Sequence, residues 1–425
     1  MTTSKPTRRN FLLMSTGGAA SAFALGILPG ASLLPQSAVA QTATDATMAS
    51  GMYKEAPMLA ARVAAGTLPA VDARLPKDPL VMEVAAIGKF GGTIHQQTGN
   101  QGGHFYLDGA QLIFPQHTNN DGTIIVPDLC DKVELSADAT EITLHFREGL
   151  KWSDGTPLGA ADVMWWWENE QNNKDLYPNG PSADWAPGGV PAVFTMVDPQ
   201  TLTIKMAQPR RPMVNMSAHE RMSLGATFGQ PIKYMSQFHI AFNPDADALA
   251  KSLGYDFWHQ AYLAQQGHLG SFANKPHVGP WVKIETGSTR ELFERNAYFH
   301  QVDKEGNQLP YIDQIVLDIV PDRTLQATRT IAGELTQNDV ALSQIDVAKE
   351  NMAKGDYTIL PYKNSNPSQC CLAFNLNHKD PVLREIYNDV RFRSAMSRAI
   401  NRDEMNQSLY FGLGTPAAAT INPKA

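Results

Sequence analysis

The sequence predicts an α/β protein with mixed sheets, divided into more than one lobe. Pairs of short strands recur at separate places along the chain, with helical segments between them. Their order lacks the regular strand–helix–strand alternation of a doubly wound parallel sheet. The chain has 425 residues, which is more than a single hydrophobic core usually organises. We therefore expect two or more compact units rather than one continuous sheet.

The first 40 residues have the composition of an export signal. Residues 7–12 read Thr-Arg-Arg-Asn-Phe-Leu, a twin-arginine pattern, and an apolar stretch containing glycines runs from Phe11 to Leu34. Ala38-Val39-Ala40 then offers small residues for cleavage before Gln41. A membrane anchor is the alternative, but the glycines and the adjoining cleavage pattern favour a signal. We expect export by the twin-arginine route, cleavage after Ala40 and a periplasmic location.

Charge and cysteine content exclude several classes of protein. The formal net charge is −7, and it becomes about −10 without the signal, which carries three basic residues and no acid. A basic stripe of the kind that nucleic acid requires is absent, and no second apolar run is long enough for a bilayer. Three cysteines, Cys130, Cys370 and Cys371, do not make a disulfide framework. We interpret them as buried thiols.

Alternating apolar residues predict two strand pairs in the first half of the chain. The first pair spans residues 132–146 around a turn at Ser136-Ala137-Asp138, and the second spans residues 192–206 around Asp198-Pro199. Further strands are expected near residue 94 and at Trp281–Glu285, Glu291–Arg295, Ile315–Val320 and Leu372–Leu376.

Helical spacing predicts five helices, with an extended linker at Leu68–Pro79. These helices are Tyr53–Gly66, Ala160–Asn172, Ala246–Gln265, Thr324–Gly333 and Asn388–Ile400. The second carries Trp165, Trp166 and Trp167, which together span about 200° of a helix surface and cannot all face one ligand. At least one of the three is expected in the core.

A polar, glycine-rich loop at residues 98–106 follows the first predicted strand of the main body. Loops at strand ends often face ligands. Within it, Asn100, Gln101 and His104 are the side chains expected to face water or a ligand, and Phe105 and Tyr106 are expected to be packed.

Common catalytic spacings are missing from the chain. It lacks His-Glu-x-x-His, a Gly-x-Ser-x-Gly elbow and a phosphate-binding loop, and its histidines are scattered rather than paired at metal-ligand spacing. We expect neither catalysis nor a bound cofactor or metal. A secreted hydrolase is the alternative from a different class, although no residue can be nominated as its nucleophile or base.

Four segments, in order across residues 146–404, resemble the large extracellular solute-binding proteins of ABC importers, the dipeptide, oligopeptide and nickel type (solute-binding protein family 5). They are Phe146–Pro157 continuing to Ala161-Asp162-Val163, then His277–Trp281, then Arg295–Phe299 with Leu309–Asp313, and finally Asn388–Ala395 with Ala399–Glu404. The sequence departs from the family pattern at Gly159, where Ser or Thr is usual, and at Trp281, where a smaller aromatic residue is usual.

The resemblance implies a periplasmic binding protein-like fold with two lobes hinged around a ligand, of the large type with an extra subdomain in lobe one. The signal would be followed by an N-terminal segment and linker (41–90), lobe one (91–368, with the subdomain at about 125–230) and the start of lobe two (369–425). Family members run well past residue 425, so lobe two is expected to be incomplete here.

The resemblance also implies a function and three more ligand contacts. The protein would capture oligopeptides and deliver them, as a monomer, to ABC permease subunits in the inner membrane. Oligosaccharides or opine-like sugar conjugates are the alternative cargo, followed by metal complexes or haem. Trp185 lies in the Pro178–Pro191 loop, where the family places an aromatic cleft residue. Its alternative role is a loop anchor. Gln369 and Cys371 precede the strand expected to cross between the lobes.

Two motifs are interpreted as structural rather than functional. Asp154 and Gly155 form a turn that launches the following helix, because proteins with different cargo share that pattern. Asp389, Arg391 and Arg393 stand near a helix start, where ion pairs are common.

Overall fold

The computed structural model of the chain describes residues 51, 53–100, 113–118, 125–218, 222–266, 275–360 and 372–414. These residues divide into two compact units. The larger unit takes the described residues up to Gln326 together with 335–338. The smaller unit takes 327–334 and the described residues from Asp339 onward. The predicted export signal at 1–40 lies outside the described residues, and the predicted lobe boundaries remain a prediction.

The strands formed by the described residues lie in the larger unit. In chain order they are β1 (Leu80–Met82), β2 (Thr93–Thr98), β3 (Gln116–Thr118), β4 (Ile125–Pro127), β5 (Cys130–Leu135), β6 (Glu141–Phe146), β7 (Val193–Met196), β8 (Thr201–Lys205), β9 (Trp281–Thr286), β10 (Arg290–Arg295), β11 (Gln301–Asp303) and β12 (Gln314–Ile319). Both predicted strand pairs, at residues 132–146 and 192–206, are confirmed as β5–β6 and β7–β8.

Two four-stranded sheets organise the larger unit. One has the order β5-β6-β8-β7 and is antiparallel throughout. The other has the order β2-β12-β10-β9; its β2 and β12 run parallel while β10 is antiparallel to both of its neighbours. Two-stranded sheets join β1 to β11 and β3 to β4. The predicted α/β class with mixed sheets is confirmed.

The helices of the larger unit are short. They are α1 (Pro57–Ala64), α2 (Val71–Arg74), α3 (Ala160–Trp166), α4 (Met213–Met216), α5 (Ile232–Met235), α6 (Ala246–Ser252) and α7 (Trp258–Gln266). A π-helical turn, Trp167–Gln171, extends α3, so the predicted helix 160–172 is confirmed with a change of winding. Helix α8 (Arg323–Ala332) begins in the larger unit and ends in the smaller one at Gly333, whose φ of 77° closes it as predicted.

The smaller unit is helical over its described residues. It contains α9 (Ile345–Gly355), α10 (Pro381–Asn388), α11 (Val390–Ala399) and α12 (Arg402–Leu409). Asp389 caps α11 by accepting from the Arg391 backbone N–H at 2.8 Å, and it pairs with the Arg391 guanidinium at 2.6 Å. The structural interpretation of these charges is therefore confirmed. None of the side chains of α10, α11 and α12 is buried.

The main core lies under the antiparallel sheet. Alternate residues of β6 are buried, with Ile142 and Leu144 fully covered, and β8 contributes Leu202 and Ile204 in the same way. Helix α3 packs Val163 and Trp166 onto this face, whereas Trp165 packs in a second cluster with Met235 and Tyr262. Trp165, Trp166 and Trp167 are all buried, so the expectation that at least one is a core residue is confirmed.

Three local predictions are wrong. The extended linker expected at Leu68–Pro79 contains the short helix α2, whose Val71 and Arg74 are buried. The helix expected at 246–265 is interrupted at Gly254, whose φ of 86° belongs to a chain reversal and not to a helix, so α6 and α7 are separate. The strand expected at Leu372–Leu376 has irregular backbone, and no described residue pairs with it. An apolar run gives strand propensity, but a strand also needs a partner edge.

Candidate functional site

The carboxyl ends of β2 and β12 form the edge from which the predicted ligand loop leaves. These strands pair in parallel from Thr93 opposite Gln314 to Thr98 opposite Ile319, so both end at the same place. Gly99 and Asn100 continue from one strand and α8 follows the other. In open α/β sheets, ligands bind outside the carboxyl ends of the strands. The predicted loop therefore starts where this rule places a ligand.

Hydrogen bonds hold this edge in one arrangement. The Val320 backbone N–H donates to the Thr98 carbonyl at 2.8 Å, and the Thr98 hydroxyl donates to the Asn100 carbonyl at 3.3 Å. The Gln97 side-chain amide donates to the Gln326 carbonyl at 2.8 Å, and the Gln326 amide donates to the Val320 carbonyl at 2.5 Å. The start of α8 is thereby tied to the end of β2, which fixes the backbone that carries Asn100.

Asn100 is the one predicted loop contact within the described residues, and it is exposed. A side-chain amide both donates and accepts, so it can bind a peptide group or a sugar hydroxyl. Gln101 and His104, with Phe105 and Tyr106, lie outside the described residues, as do Gln369, Cys370 and Cys371. Their predicted contacts stay predictions.

Trp185 is placed differently from the cleft position that the sequence suggested. Only 3% of it is exposed, and its ring lies 5.5 Å from that of Phe228 in a stacked arrangement. The edges of Trp166 and Phe194 close the other sides, with ring centroids at 5.9 and 5.4 Å. This packing is that of the alternative, the loop anchor, because almost none of the indole surface remains for a ligand.

The signature segments meet one another inside the larger unit. Ser153 and His277 exchange two bonds: the Ser153 backbone N–H donates to the His277 carbonyl at 3.0 Å, and the His277 N–H donates to the Ser153 hydroxyl at 2.9 Å. The Asn296 side chain donates to the Gly279 carbonyl at 2.9 Å. Sequence segments more than a hundred residues apart are thus joined into one buried scaffold.

The turn at Asp154 and Gly155 belongs to this scaffold. Asp154 accepts from both the backbone and the hydroxyl of Thr156, at 3.0 and 2.6 Å. Gly155 has φ 84°, and a Cβ at this position would lie 2.8 Å from the Tyr298 hydroxyl. The turn needs glycine for conformation and for space, in agreement with its structural interpretation.

Asp162 links the signature turn to α3. Its carboxylate accepts from the Trp152 indole N–H at 3.1 Å and from the Gly159 backbone N–H at 2.9 Å. The second bond is the half of a capping box that does not need a Ser or Thr side chain at the N-cap. Burial raises the pKa of Asp162 to about 6, although the hydrogen bonds from these donors act to lower it. The same group thus serves helix capping and core packing rather than a ligand.

A second buried carboxylate, Asp128, was not found from the sequence. His300 lies 2.6 Å from one of its oxygens and His117 lies 3.3 Å from the other. Although burial acts to raise it, these two histidines hold the pKa of Asp128 well below its usual range. His117 lies in β3 and Asp128 directly follows β4, but His300 is distant in the chain and the three residues show no motif spacing, so only the fold brings them together.

The described residues hold no cluster of three or more His, Cys, Asp or Glu side chains suited to a metal ion. Cys130 is a buried free thiol whose pKa burial raises well above its usual value, which favours the unreactive protonated form. Among these same residues, no helix has the length and apolar character needed to cross a bilayer.

Comparison with known proteins agrees with this architecture. Residues 125–425 match the family described as bacterial extracellular solute-binding proteins, family 5 middle. A probable ABC transporter-binding protein of Deinococcus radiodurans is 28% identical over 70% of this chain and 47% of its own length. The periplasmic alpha-galactoside-binding protein of Rhizobium meliloti is 25% identical over 82% of this chain and 52% of its own length.

Solved structures show the same fold. An oligopeptide-binding protein OppA superimposes with a TM-score of 0.70 at 30% identity, covering 87% of this chain and 59% of that one. MelB of Agrobacterium fabrum C58, in complex with stachyose, gives a TM-score of 0.61 at 20% identity, covering 84% of this chain and 55% of that one. The chain spans about half the length of the curated relatives it matches. Because the family match extends over most of it, the chain belongs to the bacterial extracellular solute-binding proteins of family 5.

Proposed function

We propose that the protein is the solute-binding component of an ABC importer and that it captures oligopeptides. The observation that carries the proposal is the match in sequence and fold to the oligopeptide-binding protein OppA, at 30% identity and a TM-score of 0.70. The described polar clusters support binding rather than turnover, because their members are committed to buried hydrogen bonds within the scaffold. Ligand would shift the protein toward a closed form in proportion to its preference for that form.

The ligand would be bound at the carboxyl ends of β2 and β12. Asn100, Gln101 and His104 would contact it from one loop, and Gln369 and Cys371 from the segment entering lobe two. Amide side chains suit a peptide of variable sequence, because they can bind its backbone groups without selecting its side chains. Trp185 would act indirectly, by fixing the Pro178–Pro191 loop from inside the core.

Oligosaccharides are the second candidate cargo. This candidate is supported by the alpha-galactoside-binding relative and by the stachyose complex of the structural neighbour MelB. Sugar recognition would require exposed aromatic faces at the site, and the described part of the β2–β12 edge offers amides and hydroxyls instead. Opine-like sugar conjugates, metal complexes and haem come after these two.

The route and partners follow from the same proposal. The signal at 1–40 would direct the folded protein through the twin-arginine pathway, and the mature protein would deliver its ligand, as a monomer, to membrane permease subunits. Replacing Arg8 and Arg9 by lysine should retain the uncleaved precursor in the cytoplasm. Unchanged export of that variant would refute the twin-arginine route while leaving the binding function untouched.

Mass spectrometry on the full-length mature protein tests the cargo. The intact protein is measured under native conditions, and the molecules it releases on denaturation are identified. Peptides of mixed sequence and narrow length are expected. A released sugar would instead identify oligosaccharides as the cargo and overturn the peptide proposal. If nothing is released, a thermal-shift panel of peptides and oligosaccharides decides, and stabilisation by sugars alone would overturn the peptide proposal.

A variant pair tests the site. Asn100→Ala should weaken binding of the identified ligand about tenfold, the cost of about one to two hydrogen bonds lost in a desolvated site. Asn215→Ala is the matched control, because Asn215 is also exposed but lies on α4, away from this edge in the sequence. Equal affinities for both variants would remove Asn100 from the site.

A further inference from the structure

A buried polar cluster surrounds Glu170, outside the scaffold and the proposed ligand site. Glu170 is 1% exposed and lies in the π-helical turn that extends α3. That turn inserts an extra residue into the helix. Trp167 at its start stacks on Phe194 at 4.2 Å in the apolar core, while Glu170 accepts from the Tyr262 hydroxyl of α7 at 2.9 Å. The π-helical turn thus places Trp167 in the apolar core and Glu170 in the polar cluster within a single turn.

The described groups that face Glu170 come from α7, from the π-helical turn itself and from the loop residues Tyr177 and Lys275. The Gln266 side-chain amide and the Gln171 side chain donate to its carboxylate, and the same Gln266 amide lies 3.3 Å from the Tyr177 hydroxyl. Lys275 is the nearby cation. It is also buried, and its ammonium donates to the carbonyls of Gly225 and Gln266, both at 3.1 Å. Among the described residues, the titratable groups acting on Glu170 are therefore Tyr177, Tyr262 and Lys275.

Burial dominates the charge state of both ionisable partners. Desolvation raises the pKa of Glu170 to about 7, although the hydrogen bonds from Gln266 and Tyr262 and the charge of Lys275 oppose it. Desolvation likewise lowers the pKa of Lys275 to about 8, opposed by Glu170. The surroundings of this carboxyl group act on its pKa in opposite directions. Hydrogen bonds from several donors favour the charged form, whereas burial away from bulk water favours the neutral form.

We propose that this cluster is a pH-responsive element in which Glu170 takes up a proton as the pH falls through neutrality, so that its contribution to folding stability is larger in mild acid. Glu170 binds a proton more readily in the folded state than in the unfolded chain, where its ordinary pKa is 4.5. Its contribution to stability is therefore complete below about pH 4.5 and is lost as the pH rises toward 7. The Lys275 contribution changes only above about pH 8. Asp162, with a pKa of about 6, also titrates below pH 8, so the Glu170 contribution is read from the difference between the wild type and a variant that lacks this carboxyl group.

Thermal unfolding of the full-length protein between pH 5.5 and 7.5 tests this element. Glu170→Gln keeps the size and hydrogen-bonding capacity of the side chain but cannot ionise. The contribution of Glu170 predicts that the melting temperature of the wild type falls across the window by about 2 °C more than that of Glu170→Gln. Glu168→Gln, an exposed position on the same turn, is the control and should follow the wild type. Subtracting one profile from the other removes the contributions of all titratable groups that both proteins share, the histidines among them.

The result that overturns the proposal is a Glu170→Gln profile parallel to that of the wild type. If this variant does not fold, infrared spectroscopy of the wild type with isotope-labelled glutamate answers the same question. A buried protonated carboxyl band should be present at pH 6 and absent at pH 8.5. A spectrum in which all glutamates are ionised at pH 6 would also overturn the proposal. Neither outcome depends on the identity of the transported ligand.

Discussion

Replacing Trp185 by alanine separates a core role from a ligand-binding role at one residue. The indole is 3% exposed and is enclosed by Phe228, Trp166 and Phe194, with ring centroids between 5.4 and 5.9 Å away. Its removal would leave an apolar cavity that these large, mutually packed rings cannot easily fill. The expected first effect is therefore on folding stability, and any effect on binding would follow from the displaced loop.

The size of that effect follows from buried area and from known substitutions. A buried tryptophan removes about 150–250 Å² from water, and at about 25 cal/mol per Å² this corresponds to about 4–6 kcal/mol. Alanine retains part of that burial, and measured Trp→Ala changes in cores cost about 3–5 kcal/mol. For a chain of 425 residues, an unfolding entropy of about 2.1 cal/mol/K per residue means that about 1 °C of melting temperature is lost per kcal/mol. We expect Trp185→Ala to lower the melting temperature by about 3–6 °C.

Urea unfolding followed by far-ultraviolet circular dichroism measures this loss without depending on tryptophan fluorescence. Val193→Ala is the control, because Val193 lies on the neighbouring strand β7 but is 60% exposed, and it should change stability by less than about 0.5 kcal/mol. Trp185→Phe should recover a large part of the loss. A Trp185→Ala protein that unfolds like the wild type but binds its ligand weakly would refute this reasoning and restore Trp185 to the cleft.

Two further predictions concern the scaffold. Gly155→Ala should destabilise the protein by about 1–3 kcal/mol in urea unfolding, because the added Cβ meets Tyr298. Gly254→Ala is the control: its φ of 86° is similar but the space around it is open, so it should cost less. Equal costs for the two variants would show that only backbone strain matters. Lys283→Met should cost about 3–5 kcal/mol, because it removes the buried cation that pairs with the buried Glu291 carboxylate at 3.0 Å. The double variant Lys283→Met/Glu291→Leu should regain most of that stability, and a double variant as unstable as the single one would contradict the explanation.

Local patterns predicted the strand pairs whose members are neighbours in the sequence. The pairs β5–β6 and β7–β8 alternate in burial and turn at Ser136 and Asp198, so their period and their turns are both visible in the chain. The scaffold was found in a different way. Its segments matched a family pattern, and the structure then showed why they occur together: Ser153, His277 and Asn296 bond to one another across the interior.

Contacts between distant residues could not be predicted in the same way. Trp185 lies in a loop rich in proline and glycine, which is typical of an exposed segment, and nothing local reveals that Phe228 covers its ring. The contacts of Asp128 with His117 and His300 likewise have no sequence pattern that would indicate them. The helix at 246–265 was misjudged for a simpler reason: apolar spacing continued through Gly254, and periodicity alone does not register a residue that reverses the chain.

The placement of the candidate site combines both kinds of information. The chain separates β2 from β12 by more than two hundred residues, and only their parallel pairing brings Asn100 beside the start of α8. The polarity of residues 98–106 suggested a ligand loop, but polarity alone describes many solvent-facing loops. The pairing adds a positional reason, since the loop leaves from the carboxyl ends of two parallel strands, where backbone groups are left without further strand partners. The anchoring bonds from Gln97 and Gln326 then explain how a polar loop can be held still enough to bind. Loss of the Gln97 anchor should therefore weaken binding through the position of Asn100, without any direct contact between Gln97 and the ligand.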